Sequence, residues 1–172
     1  MIVTGCQRSG TATSAAIFGL THEEVLNPHN IEAFTLKELI PKLHQGEASW
    51  LAAPYVEQLK NYYPIIHLVR HPLAVINSLM GIGFWTETGH EPYRNFIMKH
   101  LPSMPKDPLE KSLYYWYHWN KQLTGYPRIR IEDFTNVPQR NSRPRANYTW
   151  DDLKSKALFN KVEELAREYY YE

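Results

Sequence analysis

The chain has 172 residues, 43% of them hydrophobic and 22% charged, a balance that suits one soluble globular domain over residues 1–172 with a single sizeable core. A formal net charge of +1 and an isoelectric point near 7.9 argue against a general binder of nucleic acid or of membrane surfaces. The single cysteine, Cys6, excludes an internal disulfide, and no apolar run reaches the length of a signal-peptide core or a membrane span, so a reducing, cytoplasmic location is expected.

In chain order, the apolar run Ile2 to Gly5 predicts a first strand, and Thr11 to Gly19 a first helix. Leu20 to Phe34 is polar and broken by Asn27-Pro28-His29-Asn30, which predicts an active-site loop. Leu36, Leu39, Ile40 and Leu43 recur at helical spacing and predict an amphipathic helix over Thr35 to His44. A short strand at Ser49 to Ala52 and a helix opened by Pro54 and ending near Asn61 come next. The run Ile65 to Val69 predicts another strand, followed by a helix from Pro72. Gly81 to Glu91, glycine-rich around Phe84-Trp85, reads as a mobile loop, and loop character extends to Pro105. Pro108 to Leu123 predicts a long helix that turns Leu113, Trp116, Tyr117 and Asn120 towards the core. Arg128 to Ile131 predicts a further buried strand, Thr149-x-x-Asp152 a capping pair, and Lys161 to Tyr170 a last helix. Strands alternating with helices predict an α/β fold, a central parallel sheet flanked by helices. His67 is expected to be a core histidine, and the histidines as a set lack metal-site spacing.

Two strand-to-helix turns carry the chemistry. In the first, Gly5-Cys6-Gln7-Arg8-Ser9-Gly10-Thr11 leads from a strand into a helix, the layout in which loop and first-turn N–H groups converge on an anion. The glycine spacing fits the phosphate-loop template G-x-x-x-x-G-K-[ST], but Thr11 stands at the lysine position and Ala12 at the magnesium-binding hydroxyl. Arg8 is the cation of the loop, and Ser9, Thr11 and Thr13 add donors. In the second turn, Arg70-His71-Pro72 opens a helix. Pro72 suits the first helical position, and Ser78, seven residues beyond His71, returns to the same side. A planar guanidinium such as that of Arg70 suits bidentate phosphate binding. Arg128, Arg130, Arg140, Arg143 and Arg145 form a basic cluster suited to a small polyanion.

The Arg-Ser-Gly-Thr loop resembles the 5′-phosphosulfate loop of the sulfotransferases, which use 3′-phosphoadenosine-5′-phosphosulfate (PAPS) as donor. Arg70-x-Pro72 with Ser78 resembles the 3′-phosphate motif of the same family. The run Tyr115 to Asn120, then Arg128 to Phe134, resembles the family's long helix with a Trp and an Asn followed by a strand ending in Glu-Asp. Asn141-Ser142-Arg143 and Tyr148-Thr149-Trp150 resemble a segment of bacterial and carbohydrate-acting members. The matches span most of the chain in the family's order, although the chain is short for it.

The resemblance implies a P-loop-like three-layer fold and a metal-free transfer of a sulfuryl group from PAPS to a hydroxyl of a carbohydrate or small-molecule acceptor. It implies that PAPS is held by Arg8, Ser9, Gly10, Thr11, Ala12, Thr13, Arg70, Ser78 and Arg143, with Arg8 also at the leaving oxygen. One branch of the family takes its base from a histidine after a later strand, where this chain has Trp50; another uses a glutamate soon after the first helix. The base is therefore expected at Glu23, with Glu24 and His22 behind it, and Glu47 could reach the same area. Glu132-Asp133 is expected to be structural, and Tyr148 and Trp150 are candidates to stack on adenine. A P-loop nucleotide kinase-like enzyme and a non-catalytic nucleotide-fold binding module are the alternatives. The acceptor and the oligomeric state are open at the level of sequence.

Overall fold

In the computed structural model, which describes residues 1–101, 103–135 and 144–171, the chain divides into two units. The first contains the described residues of Met1–Val69 and Gln122–Pro138. Its elements are β1 (Ile2–Thr4), α1 (Thr11–Phe18), β2 (Thr21–His22), α2 (Pro28–Ala33), α3 (Leu36–Leu39), β3 (Glu47–Ala48), α4 (Val56–Leu59), β4 (Ile65–Val69) and β5 (Arg128–Arg130). The strands form one all-parallel sheet in the order β2-β3-β1-β4-β5. This is an α/β fold with a central five-stranded parallel sheet and helices around it.

The middle of the sheet is buried on both faces, as a parallel sheet requires, although Thr4, Glu47 and His67 are among its buried residues. Ile2 lies opposite Glu47 on one side and Ile65 on the other, and Thr4 lies opposite His67. Val3, Ala15, Ala48 and Leu68 form a buried cluster against which Phe18, Ile131 and Phe134 pack. His67 is fully buried in β4, where a core histidine belongs.

Local chemistry corrects several boundaries. Leu20 to Phe34 is not a plain loop: Thr21–His22 adds the edge strand β2, and α2 begins at Pro28 because Asn27 caps it, accepting the Asn30 N–H at 2.9 Å. The helix expected over Thr35 to His44 breaks in two. Thr35 and Glu38 form a capping box for α3, and Pro41, with no N–H to give, sits in a tighter 3-10 turn at Ile40–Leu43. The strand expected at Ser49 to Ala52 pairs earlier, at Glu47–Ala48. The Ser49 hydroxyl accepts the Leu51 N–H and starts a 3-10 segment, Trp50–Tyr55, that contains Pro54. Arg128–Arg130 is an edge strand rather than a buried one, with Arg128 exposed.

The second unit contains the described residues of Arg70–Lys121 and Gln139–Glu172. It holds α5 (Pro72–Gly81), α6 (Glu91–His100), α7 (Pro108–Lys121), α8 (Trp150–Leu153) and α9 (Phe159–Glu168). α7 packs against α5 and α9; of its expected core face Leu113, Trp116 and Asn120 are buried but Tyr117 is only half-buried, and Tyr115 and Trp119 are buried instead. Gly81 to Pro105 is not loop throughout, because α6 buries Phe96 and Ile97. Phe84 and Trp85 are also buried, and Trp85 Nε1 donates to Ser112 Oγ at 2.8 Å. Residues 144–149 lie along α5. The Asn77 side chain accepts the Tyr148 N–H at 2.7 Å and donates to the Tyr148 carbonyl at 2.9 Å, and the Asn77 carbonyl accepts the Ala146 N–H. Gly81 makes room for this strap: a β-carbon there would stand 2.5 Å from Arg145 Cα. Among the described residues no helix is long and apolar enough to cross a membrane.

Candidate functional site

The loop from Gly5 to Gly10 leaves the central strand β1 and enters α1. Gly5 passes so close to β4 that a β-carbon would collide with the Leu68 carbonyl. The loop then closes on itself: the Ser9 N–H and hydroxyl both donate to the Cys6 carbonyl, at 3.1 and 2.6 Å. Ser9 is fully buried, so its hydroxyl braces the turn from inside. Arg8 and Gly10 both take left-handed backbone conformations, with φ of 72° and 99°. A non-glycine residue in that region carries strain that the surrounding turn must hold.

Gly10 at the N-cap of α1 has no side chain to cap the helix with, and the first intrahelical donors, Thr13 and Ser14, both reach the Gly10 carbonyl. The N–H groups of Gly10, Thr11 and Ala12 stand ahead of those donors, at the positive end of the helix dipole. Ala12 can contribute only its N–H. Thr13 is half-buried, and Ser14 turns its hydroxyl back to the Thr11 carbonyl at 2.8 Å.

The Thr11 hydroxyl lies 3.1 Å from His22 Nε2, and the same nitrogen lies 3.0 Å from a Glu23 carboxylate oxygen. The edge strand β2 thus brings His22 and Glu23 to the start of α1, with side-chain exposures of 36% and 19%. Glu24 is exposed.

No known protein family, curated protein or solved structure matches the chain.

Glu47 has a different role from the one its position in the sequence suggested. Its carboxylate, fully buried in β3, accepts the N–H groups of three consecutive residues. Those of Glu24 and Val25 reach one oxygen and that of Leu26 the other, the last two at 2.8 Å. Burial pushes the Glu47 carboxyl above the usual 4.5, the three N–H bonds pull it back, and the Glu23 charge adds a further upward push. The Ser49 hydroxyl fastens the far end of the turn by donating to the Leu26 carbonyl at 2.9 Å. Trp50 is part of the core. Of the pair Glu132-Asp133, Asp133 receives the arginine bonds expected of it, taking the Arg130 guanidinium through Nε at 3.0 Å and Nη2 at 2.6 Å.

In the second unit, Arg70 is half-buried and its carbonyl accepts the Trp116 indole N–H at 3.2 Å. His71 caps α5, its Nδ1 accepting the Leu73 N–H at 3.2 Å, and Pro72 takes the first turn. Ser78 is 2% exposed, on the buried side of α5. Trp150 packs its ring against His71 and Phe159, at centroid distances of 5.7 and 5.9 Å. Arg143 lies outside the described residues. The structure brings together Thr11, His22 and Glu23 at the start of α1 in the first unit, with Arg8 in the turn that precedes it; in the second unit Arg70 precedes α5 and Ser78 lies within it.

The Glu47 clasp was not legible beforehand. Its neighbours His44-Gln45-Gly46 and Ala48-Ser49 are polar or small, so nothing local marks Glu47 as a buried, bonded carboxyl group.

Proposed function

We propose that the chain is a PAPS-dependent sulfotransferase that transfers a sulfuryl group to a hydroxyl of a carbohydrate or small-molecule acceptor. The observation that carries this reading is the loop itself. It runs between two glycines out of the central strand into a helix whose capping position is a glycine, with Arg8 in the turn and Thr11 where a nucleotide kinase has its lysine. The Arg70-x-Pro72 motif with Ser78 supports a second grip for the 3′-phosphate, and Arg143 belongs to the same proposal. Open parallel sheets collect ligands beyond the carboxyl ends of their strands, and the first loop follows β1 there.

In the proposed reaction the acceptor oxygen forms a bond to sulfur while the bond from sulfur to the bridging oxygen of the 5′-phosphate breaks. The charge left on that oxygen meets Arg8 and the N–H groups of Gly10, Thr11 and Ala12. The acceptor proton passes to Glu23, whose carboxylate is oriented by His22, itself held by Thr11. Most of the rate then comes from positioning and fixed charge. The buried Cys6 and the absence of other cysteines in the sequence suit a reducing, cytoplasmic setting.

Calorimetric titration with 3′-phosphoadenosine-5′-phosphate in EDTA, against ATP with and without magnesium, tests the reading. The bisphosphate should bind under chelation and more tightly than ATP. Arg8→Ala should weaken it by about tenfold or more, the scale of one charge-assisted contact to phosphate. Binding of magnesium ATP alone would transfer the chain to the kinases. Binding of neither would leave it a module without donor.

A further inference from the structure

We infer that Glu47 is a positioning residue: its buried carboxylate holds the turn that presents Glu23 to His22 and Thr11, by gathering the N–H groups of Glu24, Val25 and Leu26. The catalytic part of this inference rests on the proposed sulfotransferase reading; the clasp does not.

Three consecutive N–H groups can face one carboxylate only if the chain curls around it, and the curl begins at Glu23, which sits at a φ of 52°. That conformation is unfavourable for a residue with a side chain and persists only where its surroundings enforce it. The enforcement comes from three bonds to one carboxyl group in a site with no solvent access, where such bonds are strong and costly to lose. The strand β3, paired on both sides with β1 and β2, fixes the carboxylate in place. Glu23 itself contacts His22, so the same residue carries the strain and the candidate basic group. Removing the carboxylate lets Glu23 relax to negative φ and carries its side chain away from His22. A positioning role also explains a carboxyl group buried with no ion pair among the described residues: the N–H groups of the turn take the place of a counter-charge.

Glu47→Gln is the first variant, because the amide keeps the size of the side chain but turns an NH2 group towards at least one of the three N–H donors. Hydrogen exchange by NMR should show at least one of the Glu24, Val25 and Leu26 amides exchanging tenfold faster or more. The His67 amide, bonded to the Pro127 carbonyl in the sheet, should keep its protection. Turnover should fall about tenfold while affinity for 3′-phosphoadenosine-5′-phosphate is unchanged, and in a Glu23→Gln background the substitution should cost nothing more. Unchanged exchange at 24–26, equal loosening at His67, or the same loss of turnover in both backgrounds would overturn the positioning role. The unsubstituted protein supplies a test that does not depend on the variant folding. The three amide shifts should move together with the Glu47 carboxyl on titration, and independent movement would overturn the clasp. A wild-type chain with no turnover on any acceptor would remove the sulfotransferase reading, whereas the exchange and titration results would still decide the clasp.

Discussion

A β-carbon at Gly5 meets a backbone carbonyl, and one at Gly10 meets the end of a side chain, and that difference sets what each substitution does. The Leu68 carbonyl belongs to the strand beside β1 and cannot move without opening the sheet, so Gly5→Ala must displace the loop. At Gly10 the near atom is Ile131 Cδ1, 2.7 Å away, which can rotate, but the φ of 99° remains unfavourable for alanine. Gly10→Ala is therefore expected to cost about 1–3 kcal/mol in urea unfolding, and Gly5→Ala at least as much. Both should weaken anion binding, Gly5→Ala more, because it moves the whole turn rather than one end. Equal unfolding midpoints for Gly5→Ala and the parent would contradict the close approach. The glycine spacing was visible in the sequence, since six residues between strand and helix is a pattern. Which neighbour makes each glycine necessary was not, because Leu68 and Ile131 arrive from distant parts of the chain.

Elements made by local rules were read well, and elements made by pairing were not. Ile65 to Val69 and the helix from Pro72 stand where the apolar run and the proline put them, and Thr149 and Asp152 cap α8 as their spacing implied. β2 and β3 are two residues each and exist because β3 has β1 to pair with and β2 has β3, so no window of sequence announces them. α6 carries only Phe96 and Ile97 as buried anchors on an otherwise polar helix, too few for a periodic signal. The strap at 144–149 has no regular structure at all, and its attachment depends on one side chain. Asn77 imitates a strand neighbour by both accepting from and donating to the Tyr148 backbone. Asn77→Ala leaves that pair unmatched and should cost about 1–3 kcal/mol, the range for an unpaired polar group that was partly buried. The Tyr148 amide should lose exchange protection and residues 144–149 should become open to limited proteolysis, while α7 amides keep their protection. Unchanged cleavage in the variant would show that Gly81 and the Ala146 bond suffice to hold the strap.

The whole molecule should lose stability on acidification in two stages, because its shifted groups fall into two classes. Burial lowers the His100 and His118 imidazoles below the usual 6.5, so the unfolded chain binds those protons first. Their contribution is present above 6.5 and is lost as pH falls from 6.5 through the lowered values. Both histidines lie in the second unit, so amide protection should decline there first. The second stage belongs to carboxylates held below their usual values, from 4.5 for glutamate and 3.8 for aspartate. Thr35 holds Glu38, Lys60 and Tyr126 hold Glu57, backbone N–H groups hold Glu91 and Asp107, Arg130 holds Asp133, and the Thr149 N–H holds Asp152. Each contributes stability above its usual value that disappears as pH falls through the lowered one. Glu47 runs the other way. Its raised carboxyl favours the folded state increasingly as pH falls through the raised value towards 4.5, and Glu47→Gln cannot do so. Calorimetric melts between pH 7 and 3 should therefore show a first decline below about pH 6.5 that flattens when His100 and His118 are both replaced by Gln. A steeper decline should follow below about pH 4.5. The gap between Glu47→Gln and the parent should widen as pH falls towards 4.5; a gap that narrows would mean the three N–H bonds outweigh burial at Glu47, lowering its carboxyl instead of raising it.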